Sequence, residues 1–163
     1  IIENISNLKN PKGRFDLINF KTNKIIVDYA HTPESISQVI KYVNPYFSKV
    51  VVLFGAGGNR DKEKRKLMGT ASQLADSVIV TNDNPRNEDP IQISNDILKG
   101  CDLSKTTVIL DRKEAITSAI NELRENSVLL VLGKGHEMYQ EINNSHIPFN
   151  DNDFINETIG GLI

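Results

Sequence analysis

Asp83-Asn84-Pro85-Arg86 places a carboxylate, a carboxamide and a guanidinium within one short segment. A guanidinium can grip a carboxylate through two parallel hydrogen bonds, and an aspartate can take an ammonium. Held side by side, they suit a ligand that carries both charges. The alternative is a solvated loop in which Arg86 pairs with a nearby acid. The flanking residues fix where this segment sits. Ser77-Val78-Ile79-Val80-Thr81 is a β-branched run of strand length. Pro85 lacks a backbone donor and biases Asn84 toward extended geometry, so the strand ends there. Asp89-Pro90 opens a helix, with Asp as N-cap and Pro at its first position. The charged segment therefore lies at the C-terminal end of a strand, where open α/β sheets bind their ligands.

Three other loops carry reactive side chains in the same relation to a strand: Asp28 to Thr32, Gly55 to Arg60 and Gly133 to Glu137. In a parallel sheet all of them emerge at one edge and can converge. Gly55-Ala56-Gly57-Gly58 fails the G-x-G-x-x-G dinucleotide fingerprint, and Arg60 stands where a small residue is needed for close helix packing. Gly133-Lys134-Gly135 is not a Walker A loop either, because no Lys-Ser/Thr pair follows at the required distance. His31 reads as a base, a nucleotide contact or a structural residue at a helix start. His136 and Glu137 adjoin, but no C-x-x-C or H-x-x-x-H spacing supports a metal site. No Ser-His-Asp or Cys-His pairing suggests a covalent hydrolase, and Cys101 falls in a surface connection. The cationic cluster Lys62, Lys64, Arg65 and Lys66 either meets phosphate or solvates a helix face, and the solvated face is the expectation.

The elements that position these loops follow from periodicity. Strands are expected at 14–18 and 24–28 around a Thr22-Asn23 turn, and at 50–54, 77–81, 107–110 and 128–132. The unbroken apolar runs Val50–Phe54 and Val128–Leu132 are the form taken by strands buried on both faces. Between them lie helices. One starts at Thr32-Pro33, buries Ile36, Val39, Ile40 and Val43, and stops at Asn44-Pro45. A basic helix follows, with a stripe of Leu67, Ala71, Leu74 and Ala75. The next runs from Asp89 to about Lys99. A fourth opens at an Asp111-x-x-Glu114 capping box and buries Ala115, Ile116, Ala119, Ile120 and Leu123. Tyr139–Ile142 is expected to be a short edge strand, and 152–162 a C-terminal helix. This alternation predicts an α/β, Rossmann-like three-layer domain with a mostly parallel sheet flanked by helices.

Composition bounds the rest. The 163 residues suffice for one domain with a real core. A net charge of −2 gives no electrostatic reason to expect nucleic acid or an anionic membrane as partner. The single Cys101 fits a reducing compartment, hence a cytoplasmic location, and no apolar run is long enough to span a bilayer. The chain lacks an initiator Met and begins with polar residues scattered with Ile and Leu, so the expectation is an excised domain.

Read together, four motifs resemble the C-terminal domain of the Mur ligases. They are Val27-Asp28-Tyr29-Ala30-His31-Thr32-Pro33, Gly55-Ala56-Gly57-Gly58-Asn59-Arg60-Asp61-Lys62, Asp83-Asn84-Pro85-Arg86 and Gly133-Lys134-Gly135-His136-Glu137. Asp-Asn-Pro-Arg is the most specific, and is similar to the signature of the members that add meso-diaminopimelate as third residue of the peptidoglycan stem. The resemblance implies a linker over 1–12 from a missing central domain, and a domain over 13–163 that delivers the amino acid. It implies diaminopimelate binding by Arg60, Asp83, Asn84, Pro85, Arg86, Gly133 and Glu137, and ATP contacts by Arg14, Asp28 and His31. No catalytic residue and no metal ligand is expected here. ATP and Mg2+ would bind chiefly to the central domain, where the γ-carboxylate of UDP-N-acetylmuramoyl-L-alanyl-D-glutamate becomes an acyl phosphate for attack by the amine. The isolated chain is then expected to fold but to be inactive. Two departures from the family pattern, Glu34 and Asn59 where Asp is frequent, leave the charge logic intact. A lysine-adding relative, a folylpolyglutamate synthase domain and a non-catalytic ligand-binding module are the rival readings.

Overall fold

The apolar runs become the centre of the sheet. In the computed structural model, which describes residues 11–162, the strands are β1 (Asp16–Phe20), β2 (Asn23–Asp28), β3 (Lys49–Phe54), β4 (Ser77–Val80), β5 (Thr106–Val108) and β6 (Ser127–Leu132). They form one sheet in the order β1-β2-β6-β3-β4-β5. β2, β6, β3, β4 and β5 run parallel, and β1 pairs antiparallel with β2 at the edge. Every residue of β6 is buried, as expected for a strand with neighbours on both sides and helices on both faces.

Alternation along the strands divides the core in two. Ile26, Val50, Val52, Phe54, Val128 and Leu130 face one layer of helices, α1 (Pro33–Val43), α2 (Glu63–Ser72) and α3 (Pro90–Leu98). Ile25, Val27, Val51, Leu53, Leu129 and Val131 face the other, α4 (Arg112–Asn121) and α5 (Asp151–Gly160). The expected three-layer, mostly parallel α/β architecture is therefore present. Among the described residues no helix is long and apolar enough to cross a membrane.

The helix starts follow their capping residues. Thr32 accepts from the Ser35 N–H and Ser35 returns a bond to the Thr32 N–H, completing a box ahead of Pro33. Asp89 accepts from the Ile91 N–H ahead of Pro90. Asp111 accepts from the Glu114 N–H. Each holds a chain that has just left the ligand-facing edge of the sheet.

Several expectations need correction. The buried residues of α2 are Arg65, Met68, Gly69 and Ser72; of the expected stripe Ala75 is buried and Ala71 packs against the core, while Leu67 and Leu74 are 55% and 43% exposed. The Arg65 guanidinium is held inside by two acids, which keeps that face inward. The solvated-face expectation for the 62–66 cluster fails at that residue for the same reason. Tyr139–Ile142 (β7) is not an edge of the main sheet; it pairs antiparallel with Ser145–Pro148 (β8) as a separate hairpin. Asn143 and Asn144 turn it with φ of 49° and 59°, the left-handed pair that a two-residue hairpin loop requires. The β1–β2 turn falls on Lys21-Thr22, one residue earlier than expected, since Phe20 pairs with Asn23. The Leu123 expectation holds only in part, because α4 ends at Asn121 and Leu123 packs half-buried beyond it. Of the 1–12 linker, residues 1–10 lie outside the described residues. Pro11 accepts from the Arg14 N–H at 3.1 Å, closing a turn ahead of β1.

Candidate functional site

Because β2, β3, β4 and β6 run parallel, the loops after them open on one edge and enclose a cleft of about 380 Å³. That is the size of a small-molecule site. Arg60, Asp83, Asn84, Arg86, Gly133, Glu137 and His31 all line it, so the four loops converge. Arg14, Asp28 and Pro85 do not.

The loops meet through close backbone contacts. Gly58 donates its N–H to the Asn84 carbonyl at 2.8 Å, and a Cβ on Gly58 would lie 1.9 Å from the Pro85 carbonyl oxygen. A Cβ on Gly55 would lie 2.2 Å from the Thr81 carbonyl oxygen. The glycines of this loop thus let two backbones touch, which explains a glycine-rich segment that matches no phosphate-binding fingerprint. Pro85 is buried at that contact.

Cations and anions share its lining, Arg60, Lys64 and Arg86 with Asp83 and Glu137. Asp83 accepts no side-chain hydrogen bond among the described residues, although its carboxylate lies against Gly133, whose absent Cβ would be 2.6 Å from Oδ2. Gly133 has φ +110°, a conformation that strains any side chain. Burial pushes the Asp83 pKa up, against the pull of Arg112 and Lys134, and the net shift is upward. Such a carboxylate is short of partners and faces a cleft.

Glu137 is the opposite case. Burial pushes its pKa up, but hydrogen bonds from Lys134 and Asn84 and the charge of Lys134 outweigh that, and the net shift is downward. Lys134 is fully buried and donates to Glu137 Oε2 at 2.7 Å and to Asn84 Oδ1 at 3.0 Å. Asn84 completes the triangle, donating to Glu137 Oε2 at 2.8 Å. It is only 4% exposed, so its main part here is to hold the two charges in register.

Arg86 has φ 52°, unusual for a side chain of its size. Its Nη1 donates to the Gly58 carbonyl at 2.8 Å, and its Nε lies 2.8 Å from Glu141 Oε2. No described group accepts from Nη2.

Of the expected nucleotide residues, Arg14 and Asp28 lie outside the cleft lining and His31 is part of it. Asp28 uses both carboxylate oxygens on backbone, Oδ2 accepting from the Phe15 N–H and Oδ1 from the Ala30 N–H, each at 2.8 Å. That ties the start of β1 to the loop after β2. Arg14 is exposed, with its guanidinium 4.6 Å from the Tyr29 ring centroid. His31 donates Nδ1–H to the Tyr29 carbonyl at 2.8 Å, and its ring packs 4.7 Å from that of Tyr29. Cationic and aromatic groups are thus gathered on one exposed face.

Two buried arginines brace the loops from behind. Arg112 makes a bidentate pair with Asp151, Nε to Oδ1 and Nη2 to Oδ2, both 2.8 Å, with both side chains fully buried. It also donates to the carbonyls of Asn82 at 3.3 Å and Leu132 at 3.1 Å, at the ends of β4 and β6. Burial lowers its pKa, but the Asp151 charge and hydrogen bonds outweigh that and raise it. Arg65 lies 3.0 Å from Glu88 and 3.2 Å from Asp96. Its hydrogen bond is the largest cause of the lowered Glu88 pKa. Sequence reading missed Lys134, Glu141 and Arg112 as site residues. Lys134 had a signal in its spacing of three from Glu137; the other two had none. Among the described residues no group of three or more His, Cys, Asp or Glu is gathered as a metal site.

With this geometry in place, comparison decides the family. Residues 13–135 match the family described as Mur ligase, glutamate ligase domain. The chain belongs to it. Among curated Mur ligases, the UDP-N-acetylmuramoyl-L-alanyl-D-glutamate–2,6-diaminopimelate ligase of Rickettsia montanensis is 44% identical over 98% of this chain and 34% of its own length. The ligase of the same name from Aquifex aeolicus is 43% identical over 93% of this chain and 32% of its own. A solved structure of a UDP-N-acetylmuramoyl-L-alanyl-D-glutamate–2,6-diaminopimelate ligase superposes with a TM-score of 0.89 and 37% identity, covering 99% of this chain and 34% of that one. The chain spans about a third of the length of the Mur ligases it matches.

Proposed function

We propose that residues 13–163 are the amino-acid-delivering domain of an ATP-dependent ligase that adds meso-diaminopimelate to UDP-N-acetylmuramoyl-L-alanyl-D-glutamate in peptidoglycan synthesis. In this reading residues 1–12 link it to a central domain, and the enzyme works in the bacterial cytoplasm. The observation that carries it is the gathering of Arg60 and Arg86 with Asp83 and Glu137 in the lining of one small cleft. Meso-diaminopimelate has an ammonium and a carboxylate at each end, so it can satisfy both charges at once. Arg60 and Arg86 take carboxylate. Asp83, Glu137 and the Gly133 carbonyl oxygen take the ammonium of the same end, and the remaining Asn84 amide hydrogen donates to the carboxylate. The other amine is then left to react.

ATP, bound with Mg2+ on the central domain, would transfer its γ-phosphoryl group to the γ-carboxylate of the dipeptide and leave as ADP. The amine would then displace phosphate from that acyl phosphate. The chain's own residues hold the nucleophile in a fixed pose and exclude water as the domains close. Arg14 and His31 face the nucleotide phosphates, and Asp28 retains free lone pairs for a ribose hydroxyl. The isolated chain lacks the acyl donor's site and is inactive in this reading; ATP- and diaminopimelate-dependent phosphate release by it alone would overturn that part.

Lysine lacks the carboxylate that Arg86 reads. Because Glu141 still pairs with Arg86 when lysine occupies the cleft, the discrimination belongs at the low end for a broken charge pair, about 2 kcal/mol or roughly thirtyfold. The test uses the full-length ligase and compares kcat/KM for meso-diaminopimelate and L-lysine in wild type and Arg86→Ala. Preference for diaminopimelate that collapses in the variant supports the reading. Equal use of both by wild type, or a variant that keeps the preference, refutes it.

A further inference from the structure

Arg86 can read a carboxylate only if its guanidinium points into the cleft with a free edge. What holds it there is the β7–β8 hairpin, which the sequence reading took for a plain sheet edge. The Arg86 N–H donates to the Glu141 carbonyl at 2.9 Å, and the Asn143 N–H donates to the Arg86 carbonyl at 2.8 Å. Arg86 and Ile142 thus form a parallel bridge. These bonds fix the left-handed backbone of Arg86. From the same strand, the Glu141 N–H donates to Asn84 Oδ1 at 3.0 Å, and Gln140 Nε2 donates to the Asp83 carbonyl at 2.9 Å. One short strand therefore grips three of the four residues of Asp83-Asn84-Pro85-Arg86. The side chains complete the hold: Glu141 Oε2 takes the Nε–H and the Gly58 carbonyl takes one hydrogen of Nη1. The Nη2 edge is left for a ligand. Glu141 does not itself line the cleft.

We propose that Glu141 is a positioning residue for amino-acid specificity, acting through Arg86, with the β7–β8 hairpin as the arm that presents it. This rests on the function proposed above. Both side chains are half-buried, and the ordering of the guanidinium matters more than the attraction of the pair, because an anion at Glu141 also competes with an incoming carboxylate. That opposition makes the idea testable, since positioning and charge competition predict opposite signs.

The experiment measures KM and kcat of the full-length ligase for meso-diaminopimelate and L-lysine in wild type, Arg86→Ala, Glu141→Ala and Glu141→Gln. Gln keeps an acceptor for the Nε–H and drops the charge. Positioning predicts that Glu141→Ala raises KM for diaminopimelate on the order of tenfold, the scale of a small misplacement, with kcat changed far less. KM for lysine, which has no carboxylate for Arg86, moves by less than about twofold, and Glu141→Gln stays within about threefold of wild type. An unchanged or lower KM for diaminopimelate in Glu141→Ala overturns the proposal, as does an equal rise for both amino acids. If Arg86→Ala loses the preference while Glu141→Ala keeps it, only this inference fails. If wild type shows no preference, the underlying function fails first.

Discussion

Two acids face the same cleft with opposite ionisation behaviour, and this gives predictions at the scale of single residues. Asp83 has a raised pKa, chiefly because burial disfavours its charge. Its contribution to stability is full below the unfolded value of 3.8 and is lost as pH rises through the raised folded value. Above the unfolded value the cost of burying its charge weakens the fold. Asp83→Asn should therefore stabilise the domain by about 0.5–2 kcal/mol near neutrality and by little in strong acid, while abolishing diaminopimelate binding. Urea titrations at two pH values would show it, and a loss of stability at neutral pH would contradict it. Glu137 has a lowered pKa because Lys134 and Asn84 hydrogen-bond it against the effect of burial. Its contribution is present above the unfolded value of 4.5 and is lost as pH falls through the lowered one. Glu137→Gln leaves a buried Lys134 without its counter-ion and should cost about 1.5–3 kcal/mol at neutral pH. Equal and same-signed effects of the two amide substitutions would refute this division of roles.

At the scale of elements, the site depends on how closely two loops approach. The Gly55–Arg60 loop lies on the Thr81–Arg86 segment with no room for side chains, the tightest point being Gly58 over the Pro85 carbonyl. A methyl there meets backbone that cannot swing aside. Gly58→Ala should destabilise the domain by about 1–3 kcal/mol, the usual effect of overpacking, and should move Arg86, whose Nη1 bonds the carbonyl of that same residue. Chemical denaturation gives the first effect, and a raised KM for diaminopimelate gives the second. An Ala variant with wild-type stability and KM would show that the contact is not restrictive. Helix α2 is tied to the same region through Arg65, which joins Glu88 in the loop to Asp96 on α3.

At the scale of the whole molecule, the helical layer of α4 and α5 is joined to the sheet beneath the site by Arg112 and Asp151. The pair links the N-terminal ends of α4 and α5, and the guanidinium also holds the carbonyls at the ends of β4 and β6. Taking one partner away leaves a buried charge alone. Arg112→Met should thus cost about 3–5 kcal/mol, read as a shift of the denaturation midpoint at unchanged m-value. A loss below about 1 kcal/mol, the range of exposed pairs, would show that solvent reaches the site. The same substitution should weaken diaminopimelate binding, since Arg112 holds the Asn82 carbonyl next to Asp83.

Local chemistry determined most of the architecture by itself. Runs of Val, Ile and Leu set the buried strands, Thr32-Pro33 and Asp89-Pro90 set helix starts, and alternation of strand and helix forced a parallel sheet with its loops on one edge. Those signals act over a few residues, so they survive without knowledge of the fold. The motif residues Arg60, Asp83, Asn84, Arg86, Gly133 and Glu137 were legible for the same reason, each lying directly after a strand. Only the tertiary structure decided the rest. Arg65 and Arg112 are charged residues on helix faces that read as solvated, and they become core only because acids from distant segments meet them there. Lys134 and Glu141 acquired roles through partners such as Asn84 and Arg86, some fifty residues away in sequence. The hairpin was written in Asn143-Asn144, but its docking against Arg86 was not. Burial of a charge depends on what surrounds it in space, and a linear pattern carries no record of that.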